Sequence, residues 1–311
     1  MDTREIHIKG GSLSGLTTAI SLTNHGIPTT VHESLSQTSM KTSNTDFLSI
    51  LRAYNKRDPL DELKEFKLNL KPIKSIRRVC KINPEFSETV INRDYHIVRV
   101  GVNAKDTLQN QLRSKALKSG VDLKFEAKGN VNAEVIATGT PKTKINIFGQ
   151  GYCFEGLNIE DDMVYLIYDD EIAPRGYVYI VSDGKEGTLV SVNFEKSKFP
   201  KTKELLDLAI RNNPFLKRVT KGAVVTGCIS GGGYYSRDPY LELYDNKSIC
   251  VGEAAGLQDA TRGFGIRYAI LSGCIGAQSI IDHEDYCLLL KKYFGDEFKN
   301  NYIERAKLQS R

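Results

Sequence analysis

The stretch IHIKGGSLSGLTTAISLTNHGIPTTVHES, Ile6 to Ser34, reads as a strand, a glycine-rich turn, a helix and a second strand that ends in an acid. Gly10 permits a tight turn out of the strand, position 12 lies where backbone approaches a pyrophosphate, and Gly15 lets the helix pack close to the sheet. Position 12 is Ser12. With Gly11 and Ser14 it forms a turn whose amides, and the Ser12 hydroxyl, are expected to meet phosphate at the positive helix terminus. Leu16, Ala19, Ile20 and Leu22 give the helical period, and Gly26 with Pro28 ends it. Thr29 to His32 is a β-branched strand leading to Glu33, where a carboxylate can bind ribose hydroxyls. A tight strand-to-helix turn in another α/β protein is the plain alternative. Motif, context and acid together favour a dinucleotide, NAD as readily as FAD.

The 311 residues are 40% hydrophobic and 26% charged, which fits a globular protein with a sizeable core rather than disorder. A net charge of +5 from scattered lysines describes a solvated exterior and gives no nucleic-acid footprint. The six cysteines form no CxxC pair and do not cluster with the five histidines, so reduced thiols and no metal site are expected. The sequence begins on a core strand, leaving no room for a secretory signal, and no apolar run reaches the roughly 20 residues that span a bilayer. A cytoplasmic protein is the expectation.

Outward from the first unit, Ser34 to Asp46 reads as a polar loop near the cofactor, with Lys41 a candidate phosphate contact. Leu51, Tyr54, Leu60, Leu63 and Phe66 suggest short helices, and Lys74 to Lys81 and Thr89 to Val100 suggest strands. Lys105 to Ser119 is a helix closed by Gly120. Val121 to Glu126 and Glu134 to Ile136 are short strands, the second entering Ala137-Thr138-Gly139, a small turn that backbone or cofactor can approach. Met163 to Tyr168, Gly176 to Val181 and Thr188 to Asn193 alternate as strands rich in Tyr, which either line an apolar cavity or pack a core. Thr202 to Arg211 is an amphipathic helix. Gly231-Gly232-Gly233 reads as a turn, so no separate nicotinamide domain is expected. Lys247 to Val251 is a strand, and Ile266 to Ile281 a helix whose Ala269, Ser272, Gly273, Gly276 and Ala277 allow close packing. Glu284 to Arg311 reads as a charged helical tail.

In VGEAAGLQDATRGFGIRYAILSG, Val251 to Gly273, an acid follows a strand, then come a glycine loop and a helix N-terminus. Such a terminus favours the negative charge that a reduced flavin develops near N1 and O2. The stretch resembles the Gly-Asp motif of the flavoprotein monooxygenase group typified by para-hydroxybenzoate hydroxylase, and more closely that of its geranylgeranyl reductase branch. Gly10, Gly11, Ser12, Gly15 and Glu33 match the group's FAD fingerprint. Arg99 falls where the group carries an Arg near FAD, and Gly252, Glu253, Gly263, Phe264 and Gly265 match the motif whose acid binds ribitol. Ile172 to Val181 resembles the reductase segment that crosses the substrate sheet beside the flavin. Departures are Glu253 for Asp, and Tyr179, Val181 and Ser182 where the branch has a Trp and a Phe-Pro pair. A cysteine-glycine segment after the first acid is missing.

The resemblance implies an α/β fold in which a three-layer Rossmann-like FAD-binding domain (1–46, 89–143 and 244–283) is interleaved with a β-rich substrate or cap domain (47–88 and 144–243), followed by the tail (284–311). It implies an FAD-dependent oxidoreductase reducing carbon–carbon double bonds of an isoprenoid or other apolar substrate. Ser14, Thr138 and Gly139 join the expected cofactor contacts. Tyr177, Tyr179 and Cys153 are the candidate proton donors. NAD(P)H or reduced ferredoxin is the expected electron donor, with peripheral membrane contact if the substrate is a lipid. Two rivals stay open: an FAD-dependent monooxygenase hydroxylating a small aromatic substrate, and a flavin-binding protein without turnover.

Overall fold

A computed structural model describes residues 4–35, 45–52, 54, 57–85, 87–127, 129 and 131–309. The loop expected over 34–46 lies mostly outside the described residues, and so does Lys41. The first unit consists of β1 (Ile6–Lys9), α1 (Leu13–Asn24) and β2 (Thr29–His32). Then come β3 (Phe47–Arg52), α2 (Pro59–Glu65), β4 (Lys74–Ile82), β5 (Glu88–Val100), α3 (Leu108–Ser119), β6 (Asp122–Lys124) and β7 (Val135–Ile136). The middle of the chain holds β8 (Ile147–Glu155), β9 (Met163–Ile167), β10 (Tyr177–Ser182), β11 (Glu186–Asn193), α4 (Thr202–Asn212), α5 (Pro214–Thr220) and β12 (Val224–Gly233). It closes with β13 (Tyr244–Asp245), β14 (Ser248–Cys250), α6 (Ile266–Asp282), α7 (Tyr286–Phe294) and α8 (Glu297–Gln309).

Among the described residues the strands form two sheets. One runs β13-β14-β7-β1-β2-β6 and is parallel from β14 to β6. The other runs β12-β8-β11-β10-β9-β4-β5-β3, antiparallel except where β4 meets β9. This is the expected α/β architecture, a Rossmann-like unit returning late in the chain around a β-rich one. Ile8, Leu16, Leu22, Leu112, Val135 and Ile270 share the core between the parallel sheet and its helices. Helices α1 and α6 meet backbone to backbone: a Cβ at Gly273 would run into Thr17 Oγ1 and the Ser14 carbonyl. Thr17 and Thr18 instead donate to the Ile270 and Gly273 carbonyls at 3.2 and 3.0 Å. The second sheet is apolar on both faces, with Ile50, Val79, Tyr177 and Val190 on one, and Phe154 and Ile180 on the other, in one core with Leu206 of α4 and Leu216 of α5.

Four expectations differ from the structure. Phe47 to Arg52 is a strand rather than part of a helical stretch, because its register against β5 places Leu48 and Ile50 in a β core. Strand β5 belongs to the larger sheet, so the segment 89–100 sides with the β-rich unit and the crossing back falls at Gly101. Gly231 to Gly233 is no turn: the three residues extend β12, paired with Gly149, Phe148 and Ile147. The C-terminal segment is integrated, not a charged appendage, since Phe294, Glu297, Phe298, Asn301 and Arg305 are buried.

Candidate functional site

The cleft lies where the carboxyl ends of β1, β2 and β7 face the larger sheet, and it is built first from the glycine turn. Gly10 has φ +108°, and a side chain there would strike the Ala137 carbonyl. A Cβ at Gly15 would strike the Gly10 carbonyl, so α1 starts directly on the strand end. Ser12 caps α1: its hydroxyl donates to the Ala137 carbonyl at 2.8 Å and accepts from the Gly15 amide at 3.4 Å. Its one proton is thereby used inside the protein, leaving main-chain amides to face an anion. Ser14 is buried, 3.0 Å from Ser12 Oγ, and packs under Gly252. Glu33 accepts from the Gly11 amide on Oε2 and from the Leu35 amide on Oε1, both at 2.9 Å.

Gly10, Ser12, Glu33, Thr138 and Gly139 line one cavity of about 690 Å³. Tyr177, Tyr179, Glu253, Gly263, Phe264 and Gly265 line a second, of about 390 Å³. Phe47, Val100, Ile229 and Ser230 border both, so the two are halves of one elongated cleft. Those four shared residues carried no sequence signal beyond strand alternation, and it is the sheet register that brings them to the junction.

At the far half, Gly252 (φ +63°) donates from its amide to Ser272 Oγ at 2.9 Å. The next side chain, Glu253, accepts from Thr140 Oγ1, a partner the motif does not mark. Burial pushes the Glu253 carboxyl above its ordinary value, against the Thr140 hydrogen bond. Gly265 admits this carboxyl: a Cβ there would lie 2.8 Å from Glu253 Oε1. Helix α6 begins at Gly265 without a side-chain cap, so its first-turn N–H groups point at this half.

The aromatic candidates divide. Tyr177 donates from its hydroxyl to the Arg262 carbonyl at 2.5 Å, and burial raises its phenol well above the ordinary value. Tyr179 is hydrogen-bonded to Ser49, another residue of the same cavity wall, and burial raises its phenol too. Cys153 and Arg99 line neither of these two cavities but a third, of about 290 Å³, which shares Phe47 with both. Burial pushes the Cys153 thiol up to about 11. Arg99 is held by Glu186 and by Asp106 at 3.2 Å. Among the described residues no His/Cys/Asp/Glu group could hold a metal ion, and no helix is long and apolar enough to cross a membrane.

No family model matches the chain. Over 168 residues, 49% of the chain, it is 30% identical to the digeranylgeranylglycerophospholipid reductase of Thermoplasma acidophilum, of which the match takes in 41%. The chain thus spans about two fifths of the length of that curated relative. In three dimensions it superposes on a geranylgeranyl bacteriochlorophyll reductase-like protein of Thermoplasma acidophilum with a TM-score of 0.76 at 18% identity, covering 99% of this chain and 88% of that one. A probable FAD-dependent monooxygenase from Pseudomonas aeruginosa gives a TM-score of 0.65 at 12% identity, with 97% and 94% covered. At such identities the superpositions carry the fold.

Proposed function

Proceeding from the fold of the FAD-dependent flavoprotein superfamily, we propose that this chain is an FAD-dependent oxidoreductase that reduces a carbon–carbon double bond in an isoprenoid or other apolar substrate. The observation that carries it is the continuity of the two cavities, the more polar at the glycine turn and the more apolar at the start of α6. An elongated dinucleotide fits that shape. Gly10 and Gly15 let the turn and α1 close onto the Ala137 and Gly10 carbonyls, and Gly265 leaves room for the Glu253 carboxyl.

The Gly11 and Leu35 amides orient Glu33 and leave it lone pairs for ribose hydroxyls. Main-chain amides at the start of α1 meet the phosphates, and those of α6 meet the electron-rich edge of the ring. Glu253, fixed by the Thr140 hydroxyl, would hold the ribitol. When bound, FAD supplies the hydride. Tyr177 spends its proton on the Arg262 carbonyl and so fixes the cavity wall, which leaves Tyr179, with Ser49 behind it, as the better proton donor. NAD(P)H or reduced ferredoxin serves as electron donor, and the protein meets the membrane surface if its substrate is a lipid.

Purified chain should show flavin absorbance or take up FAD on reconstitution. The proposal fails if it does neither. Reduced anaerobically, it should be reoxidised by an unsaturated apolar substrate with loss of the double bond. A second reading, hydroxylation of a small aromatic substrate, is favoured by the likeness in fold to the Pseudomonas aeruginosa protein. A hydroxylated product after mixing the reduced protein with oxygen would establish it in place of the reductase.

A further inference from the structure

The sheet wall that carries Tyr177 and Tyr179 is graded from strand to strand. Register places Tyr177 opposite Val192, Val192 opposite Gly149, and Gly149 opposite Gly231. All four line the 390 Å³ cavity, so this row descends from a tyrosine through a valine to two residues without side chains. The next row on the same face, Tyr179, Val190, Gly151 and Ile229, regains bulk at β12. The row of Gly149 and Gly231 ends at a sheet edge, because β12 pairs only with β8 among the described residues.

Glycine is a poor strand residue, and its neighbours of the same type here have a packing reason. A Cβ at Gly151 would strike the Leu189 carbonyl, one at Gly232 the Ile145 side chain, and one at Gly233 the Gln258 amide. Gly149 and Gly231 have no such reason, and neither is at positive φ. A Cβ at Gly149 would lie 3.6 Å from Val190 Cγ1, an ordinary contact, and one at Gly231 would meet nothing within 4 Å. The space they leave open belongs to the cavity. A second observation in that cavity points to a ligand. Gln258, 6% exposed, donates from Nε2 to the Gly263 carbonyl at 2.9 Å, while its Oε1 is buried without a partner among the described residues. A donor on a ligand would remove the cost of that unpaired acceptor.

We propose that Gly231 and Gly149 determine the specificity of this chamber: they form a lane of bare backbone along which a long apolar chain leaves the tyrosine wall and passes out over the β12 edge. The proposal rests on the reading of the 390 Å³ cavity as the substrate chamber. A short chain lies wholly against Tyr177 and Tyr179 and does not use the lane, so the two glycines select for chain length.

Titration calorimetry with the shorter geraniol and the longer farnesol tests it, using the chain with and without FAD. Wild type should bind farnesol at least about 10-fold more tightly than geraniol. Gly231→Val should weaken farnesol about 10-fold or more and geraniol less than about threefold, and Gly149→Ala should shift farnesol the same way by a smaller factor. Valine favours strands and strikes nothing at this position, so the melting temperature of Gly231→Val should match or exceed that of wild type. A marked fall would give the glycine a packing role and count against the lane. Unchanged farnesol binding in Gly231→Val, or an equal loss for both alcohols, overturns it. So does a folded Gly231→Val that no longer takes up FAD, which would assign the bare floor to the flavin ring, and so does a wild-type chain that takes up FAD but binds neither alcohol. Length selection by a chain that takes up no FAD would sink the flavin reading and leave the lane standing.

Discussion

At the scale of single residues, the departure at position 12 acquires a cause. Ser12 spends its hydroxyl on capping α1 and on the Ala137 carbonyl, so the turn lacks a glycine but keeps its amides. Ser12→Ala should lose about 1 kcal/mol in denaturant unfolding, and Ser12→Gly only a few tenths. FAD affinity of Ser12→Gly should stay within about threefold, and a much larger loss would mean that the hydroxyl itself binds phosphate. A second residue-scale test concerns Arg267, which pairs bidentately with Glu62 at 2.5 and 2.6 Å and with Glu297 at 2.7 Å. Two buried carboxylates share one guanidinium, and burial raises Glu297 from 4.5 to about 7. The folded state thus holds this proton more tightly than the unfolded chain. The resulting stability is full below about 4.5 and is lost as pH rises through about 7. Glu297→Gln should flatten the fall in melting temperature across that window, and an unchanged slope would refute the assignment. Arg267→Met, which strands both carboxylates, should cost about 3–5 kcal/mol.

At the scale of elements, two helices govern the cleft. The contact between α1 and α6 ties the two motif segments, far apart in sequence, into one site. Gly273→Ala, forced against Thr17 Oγ1 and the Ser14 carbonyl, should cost about 1–3 kcal/mol or more and shift FAD affinity, because the start of α6 moves with it. Helix α8 braces the loop that leads into α6: Thr261 Oγ1 donates to the Asn301 carbonyl at 3.0 Å, and Arg305 donates to the Arg175 carbonyl at 2.6 Å while lying 3.8 Å over the Phe194 ring. Thr261→Val should speed hydrogen exchange in residues 259–265 with little change in global stability. The cost is one hydrogen bond, about 1 kcal/mol.

For the whole molecule, the cleft lies between the two sheets: Lys9 and His32 at the ends of β1 and β2 line one side, and Phe47, Val100, Ile229 and Ser230 of the larger sheet border both halves. A ligand spanning both halves binds only when the sheets are in register. FAD at about 100 times its dissociation constant should add about 2.7 kcal/mol to unfolding and raise the melting temperature by several degrees. The parallel and antiparallel units should then melt in one transition. Calorimetry that shows only one of two transitions moving with FAD would confine the ligand to a single unit.

The first strand, turn, helix and acid were legible because each residue there obeys a local rule: a positive φ at Gly10, a contact at Gly15 that excludes any Cβ, a cap at Ser12 and the helical period of Leu16 to Leu22. Gly252 and Gly263, also at positive φ, made the second segment legible in the same way. Local rules do not reach across strands. The register of β3 on β5 turned an apparent helix into the wall of the cleft, and pairing with β8 drew three glycines into an edge strand. The sequence by itself thus determined the two motif segments and the α/β class. Only the tertiary structure decided that Arg99 and Cys153 line a third cavity and that Thr140 holds Glu253, since each of those outcomes depends on which distant strands pair.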